Sequence, residues 1–332
     1  MSPLSRRCLL AGLLASFTVA ACGRADTGHA GSGGDLSRVI LRVGDQKAGS
    51  QALLSAAGEL DDVPYRIEWS PFQFGPPLLE AVNAQAVDIG GVGNTPPIFA
   101  AAAGAKIKVV AAHRQDMSGA AILVPAGSPI RRVADLKGKR VAVAKGSSAN
   151  YHLLAVLRKN GLAFSEIQVS YLAPPDALAA FTAGRVDAWT IWDPYTAQAQ
   201  AAYGARVLVD GNGYSNGLAF QVAGERALAD PGKAAAIRDY LTRLARARVW
   251  ANQHPEQWAK VWAQQTGLPY EAVLTAARRS TTVPIPIDDA VVASEQEIAD
   301  AFADARLVPR RIRFADFVDR RFNDVLPTPA AT

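Results

Sequence analysis

Short apolar runs alternate with longer amphipathic stretches over most of this chain, the pattern that βαβ units leave in a sequence. Strand-like runs at 107–112, 140–144, 167–171, 188–191 and 206–210 are separated by helical stretches. That alternation predicts an α/β protein with mainly parallel sheets flanked by helices. From 231 to 305 the pattern changes to few strand signals and a series of helices, opened or separated by Pro231, Pro255, Pro269 and Asp288. Trp250, Trp258 and Trp262 recur there at helical spacing and read as packing residues.

The pattern also repeats at one offset. Leu79-Glu80-Ala81-Val82-Asn83-Ala84-Gln85-Ala86-Val87-Asp88 aligns with Leu178-Ala179-Ala180-Phe181-Thr182-Ala183-Gly184-Arg185-Val186-Asp187. Each copy continues through an apolar strand to a polar residue and a proline, Asn94-Thr95-Pro96 and Asp193-Pro194. Both prolines read as first helical positions, with the preceding Thr or Asp as a cap. A second pair keeps nearly the same offset: Val43-Gly44-Asp45-Gln46-Lys47-Ala48-Gly49-Ser50 and Val143-Ala144-Lys145-Gly146-Ser147-Ser148-Ala149-Asn150, each a strand, a small polar turn and a helix. Two such units imply two similar lobes whose helix N-termini face one cleft and suit an anion.

The N-terminus reads as an export signal. Arg6-Arg7 precede an apolar stretch too short to span a bilayer, and Val19-Ala20-Ala21-Cys22 resembles the lipobox of bacterial lipoproteins. Ser5-Arg6-Arg7-Cys8-Leu9-Leu10 also resembles a twin-arginine signal, without its usual following basic residue. The expected organisation is a signal at 1–21, a Gly-rich tether at 22–37, a first lobe at 38–123, a second at 124–220, and a return to the first at 221–332. Location in the periplasm, with a lipidated Cys22 as membrane tether, follows as an expectation.

Composition removes several classes of function. Lys and Arg number 35 against 30 Asp and Glu, a net charge of +5, and two of the basic residues are Arg6 and Arg7. That balance, without a basic run interleaved with aromatics, argues against nucleic acid as a partner. The two cysteines, Cys8 and Cys22, fall in the leader and lipobox, which leaves the expected body without a thiol nucleophile. His29, His113, His152 and His254 show no metal-ligand spacing, and Gly90-Gly91-Val92-Gly93 is too short a pattern for a dinucleotide. No metal, cofactor or catalytic residue is expected.

Several stretches resemble the aliphatic-sulfonate-binding proteins of bacterial ATP-driven uptake systems, a group that also takes in taurine-, nitrate- and pyrimidine-precursor-binding proteins. They are Gly75-Pro76-Pro77-Leu78-Leu79-Glu80-Ala81, Val87-Asp88-Ile89-Gly90-Gly91-Val92-Gly93-Asn94-Thr95-Pro96-Pro97-Ile98-Phe99-Ala100, Asp135-Leu136-Lys137-Gly138-Lys139-Arg140-Val141-Ala142, Lys145-Gly146-Ser147-Ser148 and Val186-Asp187-Ala188-Trp189-Thr190-Ile191-Trp192-Asp193-Pro194-Tyr195. The resemblance implies a two-lobed, type II-like periplasmic binding protein, non-enzymatic and monomeric, that closes on an alkanesulfonate and delivers it to an ABC permease in the inner membrane. Taurine, nitrate or a pyrimidine precursor is the alternative ligand, and an enzyme on the same scaffold the alternative class. Two departures from the family pattern bear on the ligand's organic tail: Asp45 replaces a common aromatic, and Asn150-Tyr151-His152 reorders a His-bearing segment.

A sulfonate is ionised throughout the physiological range, so its site needs donors and no proton acceptor. The candidate donors are Thr95, Ser147 and Ser148 at helix starts, with Asn94 and Gln46 beside them, and Lys47 and Lys145 as sources of positive potential. Trp189 and Trp192 are read as sharing one strand face, with Trp192 lining the cleft; Asp193 is expected to cap the helix at Pro194 or to bond an N–H across the cleft. A ligand of about seven heavy atoms has a ceiling near −10 kcal/mol, and micromolar capture takes about −8. Nearly every ligand atom must then be contacted, which calls for closure of the lobes about crossovers expected at 120–124 and 220–223.

Overall fold

The computed structural model describes residues 35–326, so the leader, Cys22 and most of the expected tether lie outside the described residues. The chain begins with β1 (Ile40–Gln46), α1 (Ser50–Ala56), β2 (Arg66–Phe72), α2 (Gly75–Asn83), β3 (Ile89–Gly93), α3 (Thr95–Ala102) and β4 (Ile107–Gln115), then crosses to β5 (Ala121–Val124). The same series then recurs as β6 (Arg140–Val143), α4 (Ser148–Lys159), β7 (Gln168–Tyr171), α5 (Pro174–Thr182), β8 (Ala188–Ile191), α6 (Tyr195–Tyr203) and β9 (Arg206–Asp210). After the return crossing come β10 (Leu218–Gly224), α7 (Glu225–Ala229), α8 (Pro231–Gln253), α9 (Pro255–Thr266), α10 (Tyr270–Arg279), β11 (Thr282–Ile285) and α11 (Asp289–Asp304).

The strand orders are β11-β4-β10-β3-β1-β2 and β7-β6-β8-β5-β9. In each sheet the first three strands of a unit pair in parallel, β2-β1-β3 and β7-β6-β8. The sheets are mixed rather than mainly parallel, because each unit receives one antiparallel strand from across the crossing: β10 between β3 and β4, and β5 between β8 and β9. The crossings therefore lie at 116–120 and 211–217. The expected places, 120–124 and 220–223, are taken up by β5 and β10.

The repeated Val-Asp has a structural cause. Asp88, just before β3, accepts the N–H of Arg42 at 2.9 Å and its guanidinium at 2.7 and 3.1 Å. Asp187, just before β8, does the same to Arg140 at 2.8, 2.9 and 3.2 Å. Each carboxylate thus ties the start of the third strand of its unit to the start of the first. Around these clamps, both faces of each sheet bury apolar side chains: Leu78, Ile107, Phe220 and Phe302 on one face of the first sheet, Leu41, Val43, Ile237 and Tyr240 on the other. Ile122, Val141 and Leu153 cover one face of the second sheet; Leu123, Phe181 and Trp189 cover the opposite one. Among the described residues, no helix is long and apolar enough to cross a membrane.

Candidate functional site

A cavity of about 300 Å³ opens between the two halves, walled by strand ends and helix starts of both units. From the second half come Ser147 and Ser148 at the start of α4, and Trp192 and Asp193 between β8 and α6. The Ser147 hydroxyl donates to Ala144 O at 2.7 Å and accepts the Asn150 N–H at 3.3 Å, capping α4, while Ser148 is half-buried on the cavity wall. Gln46 also lines the cavity and donates from Nε2 to Gly91 O at 3.0 Å.

Of the nine ligand-site candidates from the sequence, these five, Gln46, Ser147, Ser148, Trp192 and Asp193, line the cavity, and four do not. Lys47 is exposed and donates to Thr266 O at 3.1 Å; Lys145 is exposed and lies 5.7 Å from the Tyr171 ring. Thr95, with no exposed surface, donates to Asn94 Oδ1 at 2.9 Å rather than capping α3. Asn94 donates to Asn216 Oδ1 at 2.9 Å and to Ser215 Oγ at 3.2 Å; Asn216 then donates to Glu295 Oε1 at 2.7 Å. The Asn94-Thr95 motif is thus built into a buried network that holds the second crossing.

Asp193 does cap a helix, accepting the Ala197 N–H at 3.1 Å. It also pairs with Arg279 of α10 through two bonds of 2.6 and 2.7 Å, so its charge is already matched. Trp189 and Trp192 are three positions apart, so strand alternation does not place them on one face; Trp192 lies beyond the end of β8 and packs against the clusters on both faces of the second sheet. Trp189 is fully buried in the second-sheet core, 5.9 Å from the Phe181 ring.

Two residues of the remaining wall, Arg248 and Gln221, carried no assignment in the sequence. Arg248 of α8 is half-buried on the cavity and, among the described residues, makes no hydrogen bond or ion pair. Burial lowers it to about 10, which leaves it protonated at neutral pH. His113 sits beside it, held well below its ordinary 6.5 by burial and by the Arg248 charge, and is therefore neutral. Gln221 is 2% exposed, and neither amide atom has a partner among the described residues. Burying such groups without partners is unfavourable, so the wall is set up to receive a ligand's polar atoms.

Trp258 and Trp262 of α9, read from spacing as packing residues, also face the cavity, their rings stacked at 5.5 Å. Trp250 instead stacks on His254. The site therefore combines one unpaired cation, neutral donors at a helix start and strand ends, and indole surface. That set can hold the oxygens of an anion while covering an apolar or cyclic tail.

Residues 77–258 match the NMT1/THI5-like family. A protein of Escherichia coli (strain K12) described as aliphatic sulfonates-binding is 38% identical over 91% of this chain and 92% of its own length. One of the same description from Bacillus subtilis (strain 168) is 30% identical over 92% of each. The alkanesulfonate-binding protein SsuA of Xanthomonas axonopodis pv. citri, solved with MOPS bound, superposes with a TM-score of 0.80 at 38% identity, over 85% of this chain and 98% of that one. The desulfurization enzyme DSZB has the same fold, with a TM-score of 0.63 at 17% identity. The chain belongs to the aliphatic-sulfonate-binding proteins of the NMT1/THI5-like family.

Proposed function

We propose that this protein is the solute-capturing component of an ABC-type uptake system: it closes on an organosulfonate and presents it to a permease in the inner membrane. The observation that carries the reading is Arg248, a guanidinium without a partner among the described residues on the wall of a cavity between two halves of the fold. A guanidinium offers several donors in one plane, and two can reach two sulfonate oxygens at once. Ser148 and Gln221 supply neutral donors from either half, so the ligand itself ties the halves together. The neutral state of His113 leaves Arg248 as the full charge facing a single negative charge. The relatives named for sulfonate binding, and the MOPS sulfonate held by one of them, support the same chemistry.

We read the protein as a binding protein rather than an enzyme, because the relatives that match over most of its length are named for sulfonate binding. It works as a monomer in the periplasm, tethered through an acylated Cys22, which mass spectrometry of the mature N-terminus tests. The function itself is tested by calorimetry against alkanesulfonates of increasing chain length, MOPS, taurine, nitrate and a pyrimidine precursor. Sulfonates are expected to bind at micromolar concentration without turnover. Arg248→Gln is expected to weaken them by about 1.5–3 kcal/mol, the range for a hydrogen bond to a charged group, at unchanged melting temperature. Wild-type affinity in Arg248→Gln places the sulfonate elsewhere.

A further inference from the structure

Asp45 is an acidic residue on the wall of a cavity meant for an anion, and this placement needs a cause. It is 8% exposed and lies at the end of β1. Its Oδ1 accepts the Ser50 N–H at 2.7 Å and its Oδ2 the Gln51 N–H at 3.0 Å, so it occupies the start of α1. The equivalent turn of the second unit is closed by Ser147, a neutral residue. The two units therefore present opposite faces to the ligand: one helix start with a neutral cap, the other with a carboxylate.

The three acidic side chains on the cavity are not alike. Asp193 is matched by Arg279 through two short bonds. Asp116 is exposed and bonded to the Ser118 N–H at 2.8 Å. Asp45 is interior and, among the described residues, has no cation within ion-pair distance; burial raises it from the ordinary carboxylate value, while its backbone N–H bonds and the through-space charge of Arg248 oppose that shift. Deep in the site there is thus one guanidinium, one carboxylate, a neutral His113 and the unpartnered amide of Gln221. A monoanion meets the free donors of Arg248 and Gln221. A dianion of the same shape brings a second charge into a weakly screened interior that already holds Asp45 and offers no second cation.

We propose that Asp45 is a specificity-determining residue that excludes tetrahedral dianions, so that organosulfonates are admitted while sulfate and fully ionised phosphonates are refused. The inference deepens the sulfonate reading and rests on it. Removing the charge while retaining a helix-capping oxygen relaxes the exclusion; the Arg248 contact to the monoanion persists.

The test compares ethanesulfonate with ethylphosphonate, near-identical in shape, and with inorganic sulfate, by calorimetry on the wild-type chain and Asp45→Asn. The wild type is expected to hold ethanesulfonate at least a hundredfold more tightly than sulfate or dianionic ethylphosphonate. Asp45→Asn is expected to narrow that ratio at least tenfold, mainly by gaining dianion affinity. A second measurement needs no variant: wild-type affinity for ethylphosphonate is expected to rise as the solution is acidified and the ligand becomes a monoanion, while that for ethanesulfonate stays level. Equal wild-type affinity for mono- and dianions overturns the proposal, as does an unchanged ratio in a folded Asp45→Asn. So does a loss in Asp45→Asn confined to taurine, which assigns the carboxylate to a ligand's ammonium. Failure of the wild type to bind any sulfonate removes the functional reading and this inference together; the other outcomes leave that reading intact.

Discussion

Arg248 stands seven positions after Leu241 on α8, on the stripe that Leu244 and Ala245 bury. A charge on the apolar stripe of a helix was the one sequence signal for the proposed anchor, and the surrounding arginines masked it. Arg243 and Arg246 of the same helix have carboxylate partners, Asp239 and Glu59, and Arg238 has Asp324. Only the fold separates the unpaired arginine from these. Titration matters at this scale too. With His113 held far below 6.5 and Arg248 at about 10, sulfonate affinity is expected to vary less than twofold between about pH 6 and 8 in calorimetric titrations. Stability behaves differently. Burial brings His152 down to about 4, so from the unfolded value near 6.5 down to 4 the unfolded chain binds a proton that the folded chain refuses. Stability is full above 6.5 and falls by up to roughly 3 kcal/mol as pH drops through 4, and His152→Gln is expected to flatten that acid limb in urea titrations. Glu295 has the opposite sign. Burial raises it to about 8, so stability is full below the unfolded value near 4.5 and declines as pH rises through 8. Glu295→Gln, which keeps an acceptor for Asn216, is expected to gain at least about 1 kcal/mol at pH 8 and nothing at pH 4, as read from melting temperatures.

At the scale of elements, the clamps Arg42–Asp88 and Arg140–Asp187 make the same bonds in different surroundings. The Asp88 side chain is 4% exposed and also takes Lys233 at 2.7 Å; the Asp187 side chain is 32% exposed. Asp88→Ala is therefore expected to destabilise by about 2 kcal/mol, since it removes the shared acceptor of two cations and leaves both partly exposed and unpaired. Asp187→Ala is expected to lose about 1 kcal/mol or less, a difference that paired denaturation midpoints resolve. The sequence made these elements legible because the repeat carries both parts of the unit: a helix rich in Ala and Leu, then Val-Asp at the strand start. It misled at the loops. Asn94 and Thr95 have the residue types of an anion site, yet their partners, Ser215 and Asn216, are far away in sequence and pairing at that separation leaves no local trace. Trp258 and Trp262 do pack, Trp262 inside a buried cluster and Trp258 against it, but their second role on the cavity wall was missed: helical spacing says which side of α9 is apolar, not whether that side meets protein or cavity.

For the whole molecule, the approach of the two halves is limited at Gly93. A Cβ built there meets Ser148 Cβ at 3.0 Å and Oγ at 3.1 Å, tighter than ordinary contact, so the end of β3 and the start of α4 touch only because this residue has no side chain. Gly93→Val is expected to prop the halves apart, weakening sulfonate binding at least tenfold and abolishing ligand-induced compaction in small-angle scattering, with the ligand-free melting temperature little changed. The exchange of β5 and β10 between the sheets bears on how the polypeptide is made. Everything the β7-β6-β8-β5-β9 sheet needs has been synthesised once residue 210 is in place. The other sheet, begun earlier, keeps a slot between β3 and β4 until β10 is supplied. The chain that starts first finishes last, and in the interval two strand edges stand open to pairing with a neighbouring chain. Hydrogen exchange on ribosome-held chains that have emerged as far as residue 217 is expected to show the amides of β6, β8 and β9 protected and those of β3 and β4 open. A chaperone would find its substrate in that half-built state, with an edge to guard.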